Sequence, residues 1–578
     1  MKTLLKYFLI IIAIVLASCS DTRQSERLFA HFLNRHVERI KPINRKYSEA
    51  VWATYSGKSS FSDLYDEARI ADSLYKKAGE PVEFYQGLMN SVYDNSSEFE
   101  LLLKIKQSGL IKDPLLKRQF VNVFRKYIMT QNDWKESDKK KVKLYEQFFE
   151  LKKSESTFWD SLKYSKNTDP SREWIERFAN LTDEFRSMII AMNHDAQRLG
   201  YSNYYQSVMD FNGVDYNSLD KICDIVEKET NNDYRKLMVI SNLEICKEYK
   251  IKPYQIRPQH YQHSINEMMV PASWQKKYDQ DKVIDILKKY YALGNYELDD
   301  ILVNSDLWYA EGKINQSFSI SINPDENDYR VYADIKPNTL GIYILLHEFG
   351  HTLHYKYIDK SVPYMIREPH EITAEAVAIY FNNKLYNSKV LQNMMGINQM
   401  PESSYYKYFS CPSTLIYLRK LIRNIQFEKS IFENPSQDYN QLWWALTQRY
   451  MLYDHVADTD RLPEWISNQH IINASGIHVF YLYAFAFAAQ LEAYYPDANI
   501  AKIKSQIMKY GDSMEWNKIL EQATGEPLNL NYLFNSYKST DKSEKPISFD
   551  IKSPSGLSSI EKRMYEAIID RGLFTIRS

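Results

Sequence analysis

Sixteen glycines among 578 residues, set against 46 tyrosines, limit this chain more than any other feature. Few glycines leave few positions for tight turns, which disfavours a strand-rich sandwich or barrel and favours long helices. The spacing of apolar residues agrees. From about residue 24 to 250 the chain reads as successive amphipathic helices. The clearest sets Trp174, Phe178, Leu181, Phe185, Met188 and Met192 at three- and four-residue intervals, with Glu176, Arg177, Asp183 and Arg186 between them. Packing into a core is the expected role of that stripe. Gly200 marks a stop, and a further helix is expected from Ser202.

Charge excludes one function class. The formal net charge is −1, with acidic and basic residues interspersed, so there is no electrostatic footprint for nucleic acid. The first residues form a separate signal. Lys2 and Lys6 precede an apolar run from Tyr7 to Ala17, too short to span a bilayer, that ends in Leu16-Ala17-Ser18-Cys19. This ending resembles a bacterial lipobox, which implies lipidation at Cys19 and a place on the cell envelope. The expected organisation is a signal over residues 1–18, a polar tether over 19–30, a main domain of two subdomains over 31–538, and a linker with a final helix over 539–578. Only Cys223, Cys246 and Cys411 remain beyond Cys19, too few for a disulfide framework, so buried thiols are expected.

Strand signal is confined to one place. Phe318, Ile320 and Ile322 alternate with polar residues, Pro324-Asp325-Glu326-Asn327 makes a turn, and Tyr329, Val331 and Ala333 alternate again. A helix follows from about Thr339 with Asn338 as its N-cap. It carries His347-Glu348-Phe349-Gly350-His351. Two histidines four apart stand one above the other on a helix face, so both imidazoles reach one metal ion. Glu348, one residue on, stands beside the metal, where it can take a proton from water. A third ligand is expected from the next helix. Glu371 and Glu375 share a face there, and spacing does not choose between them.

Four stretches resemble the angiotensin-converting enzyme family of zinc peptidases, with the thimet oligopeptidase and oligopeptidase F group more distant. They are the His-Glu-Phe-Gly-His motif, Val362–Glu368 followed by Ala374-Glu375-Ala376, Tyr439–Trp444 with Arg449-Tyr450, and His470–Gln490. The resemblance implies one zinc ion per chain held by His347, His351 and Glu375, since Glu375 lies 24 residues past His351 as in that family. It implies a histidine and a tyrosine that donate to the oxyanion. His470 and Tyr483 match, with His478 and Tyr481 as alternatives. Such a donor is worth about 3–4 kcal/mol. Phe318 and Ser319 on the hairpin, with Tyr481, are the expected substrate contacts.

The chain also departs from the family. Ser317 stands where the family's substrate-strand histidine falls, Phe480 where a tyrosine grips the substrate carboxylate, and Leu482 where an arginine is tied to chloride activation. No counterpart of its carboxylate-binding lysine is found. The expectation is a mainly α fold, two helical halves flanking a deep channel with a short hairpin beside the zinc helix. As an enzyme it would hydrolyse oligopeptides, as a monomer, with Glu348 as general base. An endo-oligopeptidase is the alternative within that class. An inactive, peptide-binding lipoprotein is the alternative outside it.

Overall fold

In the computed structural model the apolar stripes find partners. Phe178, Leu181, Phe185, Met188 and Met192 are all buried, each contributing roughly 1.5–3 kcal/mol by leaving water. Trp174 lies outside the described residues, which are 2–59, 63–64, 111–120, 140, 143–144, 147–148, 151, 175–198, 200–256, 260–261, 268–310, 313–314, 316–397, 404–453, 463–473 and 475–538. The expected linker and final helix over 539–578 also fall outside them.

The fold is mainly α. Helix α1 spans Lys2–Tyr55, α2 Thr182–Arg198, α3 Tyr204–Phe211 and α4 Leu219–Tyr249. The expected stop between α2 and α3 is real: Gly200 adopts φ +84°, and the Asn203 side chain accepts from Gln206 N to start α3. Residues 19–30, expected as a polar tether, are helical backbone within α1. The side chain of Cys19, the expected lipidation site, is outside the described residues. Among the described residues no helix is long and apolar enough to cross a membrane. Cys223, Cys246 and Cys411 are free, and the first and last are buried.

The hairpin forms as β2 (Ser317–Asn323) and β3 (Asp328–Ile335), and a short β1 (Asp306–Trp308), absent from the sequence reading, pairs parallel to β3. The order β1-β3-β2 makes β3 the central strand, with β1 and β2 at the two edges. Alternation in β2 has a physical cause on each face. Phe318, Ile320 and Ile322 pack with Trp52 of α1 and Tyr332, while Ser319 turns to the helix that follows the sheet.

That helix, α5 (Thr339–Lys356), begins where Asn338 Oδ1 accepts from Gly341 N at 2.8 Å. Helix α6 (Glu371–Asn382) begins at His370, whose ring nitrogen accepts from Ile372 N. Four more helices complete the surroundings of the site: α7 (Pro412–Glu433), α8 (Tyr439–Met451), α9 (Gln469–Asn473) and α10 (Ile477–Tyr494). Helix α6 packs against both α5 and α10, and α7 against α4, α8 and α10. The α5–α6 approach depends on Gly350. A Cβ there would lie 2.9 Å from the Ala378 backbone and 3.3 Å from Phe381, so any larger residue would push the helices apart.

Candidate metal centre

The close approach at Gly350 places the next residue, His351, opposite α6. His347 Nε2 and His351 Nε2 lie 3.1 Å apart, and the Glu375 carboxylate is 3.6 Å from each. Both histidines are half-buried and Glu375 is buried. The other sequence candidate, Glu371, is exposed one turn earlier and takes no part in the cluster.

The electrostatics of this group are those of a site short of positive charge. Burial pulls His347 down to about 4 and His351 well below the usual imidazole range, with His347 and His354 adding to the latter shift. Burial also pushes Glu375 well above the usual carboxylate range, with Glu371 and Glu348 adding to it and Tyr481 opposing. Burial lifts Glu348 to about 8, opposed by Ser319. No cationic side chain figures among the groups acting on either carboxylate. Neutral imidazoles and clustered carboxylates lacking a cation suit a bound dication, whose charge reverses the carboxylate shifts.

Two further observations test whether a metal fits. Tetrahedral bonds of about 2.0 Å separate ligand atoms by roughly 3.3 Å, and the observed separations of 3.1 and 3.6 Å lie on either side. Glu375 Oε2 is buried with no hydrogen-bond partner, a state that normally costs about 1–3 kcal/mol. One metal ion would satisfy the orphaned oxygen and the facing ring nitrogens together. Two imidazoles and a carboxylate are a donor set suited to zinc.

Asn382, which the sequence reading missed, supports His347 from behind. Its side-chain nitrogen lies 3.3 Å from His347 Nδ1, and its Oδ1 is buried without a partner. A half-turn of this amide brings Oδ1 to Nδ1–H, the tautomer that leaves the Nε2 lone pair facing the cluster. Nothing local in the sequence marks Asn382; it stands seven residues past Glu375 on the same side of α6.

Glu348 is buried and clasped from the sheet. Ser319 Oγ donates to the Glu348 backbone oxygen at 2.6 Å and lies 3.3 Å from its Oε2, while Thr352 Oγ1 lies 2.9 Å from Ser319 Oγ. Ser319, expected to touch substrate, instead positions this carboxylate. Phe318, expected beside it, belongs to the other face of β2. Its ring packs 4.7 Å from Tyr55 and 5.1 Å from Tyr332. Alternation sends neighbouring strand residues to opposite faces, so both could not line one cavity.

On the facing wall, Tyr481 rather than Tyr483 reaches the cluster. Tyr481 lines the same cavity as His347 and Glu348, and its phenol lies close enough to act on the charge of Glu375 and to sense Glu348 as well. Burial holds this phenol well above its usual range, so it remains a donor. Tyr483, two residues on, is turned away. It packs 5.3 Å from Trp516. A helix advances about 100° per residue, so a two-residue error moves a side chain to the far face.

His470 stands beside Tyr481, ring centroids 5.7 Å apart, and burial pulls it down to about 4, leaving a neutral ring with one N–H to donate. The alternative, His478, is buried against Glu428, with Nδ1 3.0 Å from Oε2. A bridge from Gln316 to Gln469 ties the start of β2 to the residue before His470.

His347, Glu348, Asn382 and Tyr481 open onto one cavity of about 340 Å³, lined also by Tyr417 and Lys420 among others. The fold itself has relatives. The structure described as "The Structure of CHT" aligns with a TM-score of 0.56 and 14% identity over 88% of this chain and 98% of its own. The one described as "BsuCP Crystal Structure" aligns with 0.52 and 15% over the same shares. No protein-family model and no curated protein matches the chain. At such identities the likeness concerns the fold alone.

Proposed function

We propose that the chain is a zinc metallopeptidase that hydrolyses oligopeptides. The observation that carries this reading is the convergence of His347, His351 and Glu375 within 4.8 Å, next to a buried carboxylate that is not one of the three. Three protein ligands and an adjacent base form the arrangement expected of a hydrolytic site rather than a closed structural one. When bound, zinc supplies a Lewis acid for the scissile carbonyl and makes water a better nucleophile at neutral pH.

The chain's own residues do the rest. Glu348, held by Ser319, takes a proton from the attacking water at its carboxylate and returns it to the leaving amine. Its burial favours the protonated form it must adopt midway. Tyr481 supplies a hydroxyl donor to the developing oxyanion, and His470 is the second donor candidate. Asn382 keeps His347 in the tautomer a ligand requires. The signal-like start ending at Cys19 supports export and a lipid anchor on the cell envelope.

The deciding experiment pairs metal analysis with Glu348→Gln. The purified chain is expected to hold one zinc, and the variant to keep that zinc while losing peptide cleavage. Wild-type-like cleavage by the variant would sink the reading.

A further inference from the structure

The cavity has a second charged feature that the metal cluster leaves unused. Helix α7 turns one face toward it through Ser413, Thr414, Ile416, Tyr417 and Lys420, at the three- and four-residue spacing of a single stripe. Tyr417 fixes the stripe relative to the site: its ring lies 6.3 Å from that of Tyr481, and it senses the Glu375 charge. Lys420 follows about one helical turn (~5 Å) further along α7.

Lys420 lines the cavity without a hydrogen-bond or ion-pair partner among the described residues. Its neighbours explain why. Arg423, one turn on, is a like charge lying over the Trp443 ring at 3.9 Å. Glu464, the acid that acts on Lys420, accepts a hydrogen bond from Trp443 Nε1 and forms no ion pair with it. Among the described residues no ion pair joins Lys420 to Glu375, whose near cationic-type neighbours are His347 and His351. Burial, the main influence, lowers its pKa to about 8, so the ammonium is still mostly charged at neutral pH. A half-buried cation with no partner among the described residues leaves its ammonium facing the cavity, ready to pair with an anion that enters it.

Resting on the peptidase reading, we infer that Lys420 binds a carboxylate of the peptide substrate and so makes the site select acidic peptides. The carboxylate has two possible sources, the substrate's C-terminus or an Asp or Glu side chain near the scissile bond. Both offer the acceptor oxygens an ammonium takes in a charge-assisted hydrogen bond. Lys420 lies outside the stretches that carry the family resemblance, so the sequence comparison gives it no role.

The test uses the full-length, zinc-loaded chain and four matched peptides: a free or amidated C-terminus, each with Glu or Gln near the scissile bond. Wild type is expected to favour one acidic form over its neutral partner by about 10–100-fold in kcat/KM, the effect of one charge-assisted contact. Lys420→Met should bring that ratio to within about twofold of one, and Lys420→Arg should restore part of it. Which pair shows the preference identifies the source. A ratio of one in wild type, or the same ratio in Lys420→Met, overturns the inference while cleavage itself leaves the peptidase reading standing. A second arm measures binding of the same peptides by calorimetry in the Glu348→Gln background. If wild type cleaves nothing, a Lys420-dependent preference for the acidic peptide in that arm still supports the inference; no preference there overturns it. Should Lys420→Met fail to fold, as judged by its thermal melt, Lys420→Gln replaces it.

Discussion

Helices α5 and α6 form one wall of the cavity and α7 and α10 the other, which α9 backs where His470 stands against Tyr481. On the first wall each group sits where its own helix puts it. His347 and His351 are four residues apart, Glu348 is next to the first, and the helices meet where Gly350 lets them approach Ala378. On the second wall the groups come from distant parts of the chain. Lys420 and Tyr417 lie on α7, His470 on α9 and Tyr481 on α10. The first wall is a local arrangement with one tertiary contact, whereas the second exists only after three helices have packed. The difference teaches where a motif is sufficient evidence and where it is not.

The largest effect that can be asked of this contrast is removal of a ligand on the first wall. His351→Ala is expected to reduce zinc from one per chain to near none by metal analysis, with peptide cleavage lost. Retained stoichiometric zinc would break the assignment. Glu348→Gln comes next, with a loss of about 10²–10⁴-fold in kcat and zinc content unchanged. Together the two separate holding the metal from moving the proton on a single helix.

The second wall is sharpened by a pair of phenols two residues apart. Tyr481→Phe should lower kcat by about 10²–10³-fold, the usual effect of one oxyanion donor. Tyr483→Phe should leave kcat within about twofold, because that ring lies against Trp516. Equal effects would mean that the helix face has been misassigned. The milder of the two losses expected in zinc binding belongs to the support behind the first wall. Asn382→Ala should weaken zinc affinity by about 10–100-fold, measured by competition with a chelator, with kcat at saturating zinc much less affected.

Much of this was legible in the chain. The mainly helical fold followed from scarce glycine and from apolar stripes, and the stripe from Phe178 to Met192 is buried as its spacing requires. The hairpin, its turn and the Asn338 cap were legible because each depends on residues within a few positions. Strand β1 was not, since three residues carry no usable periodicity and its pairing with β3 is non-local. The expectation that Ser319 and Phe318 both touch substrate overlooks strand alternation, which sends them to opposite faces of β2. The helix period sets Tyr481 and Tyr483 on opposite faces, and only the packing of α10 shows that Tyr481 is the one facing the cavity.

By itself, then, the sequence determined the class of fold, the helix that carries His347, Glu348 and His351, and the two glutamates from which a third ligand could come. Such features rest on spacing along one element, and a helix converts spacing directly into direction. The tertiary structure decided that Glu375 and not Glu371 joins the cluster, that Asn382 stands behind His347, that Ser319 holds Glu348, and that Tyr481 and Lys420 face the same cavity. Each of those facts depends on where two or more elements pack against one another, which no spacing within a single element encodes.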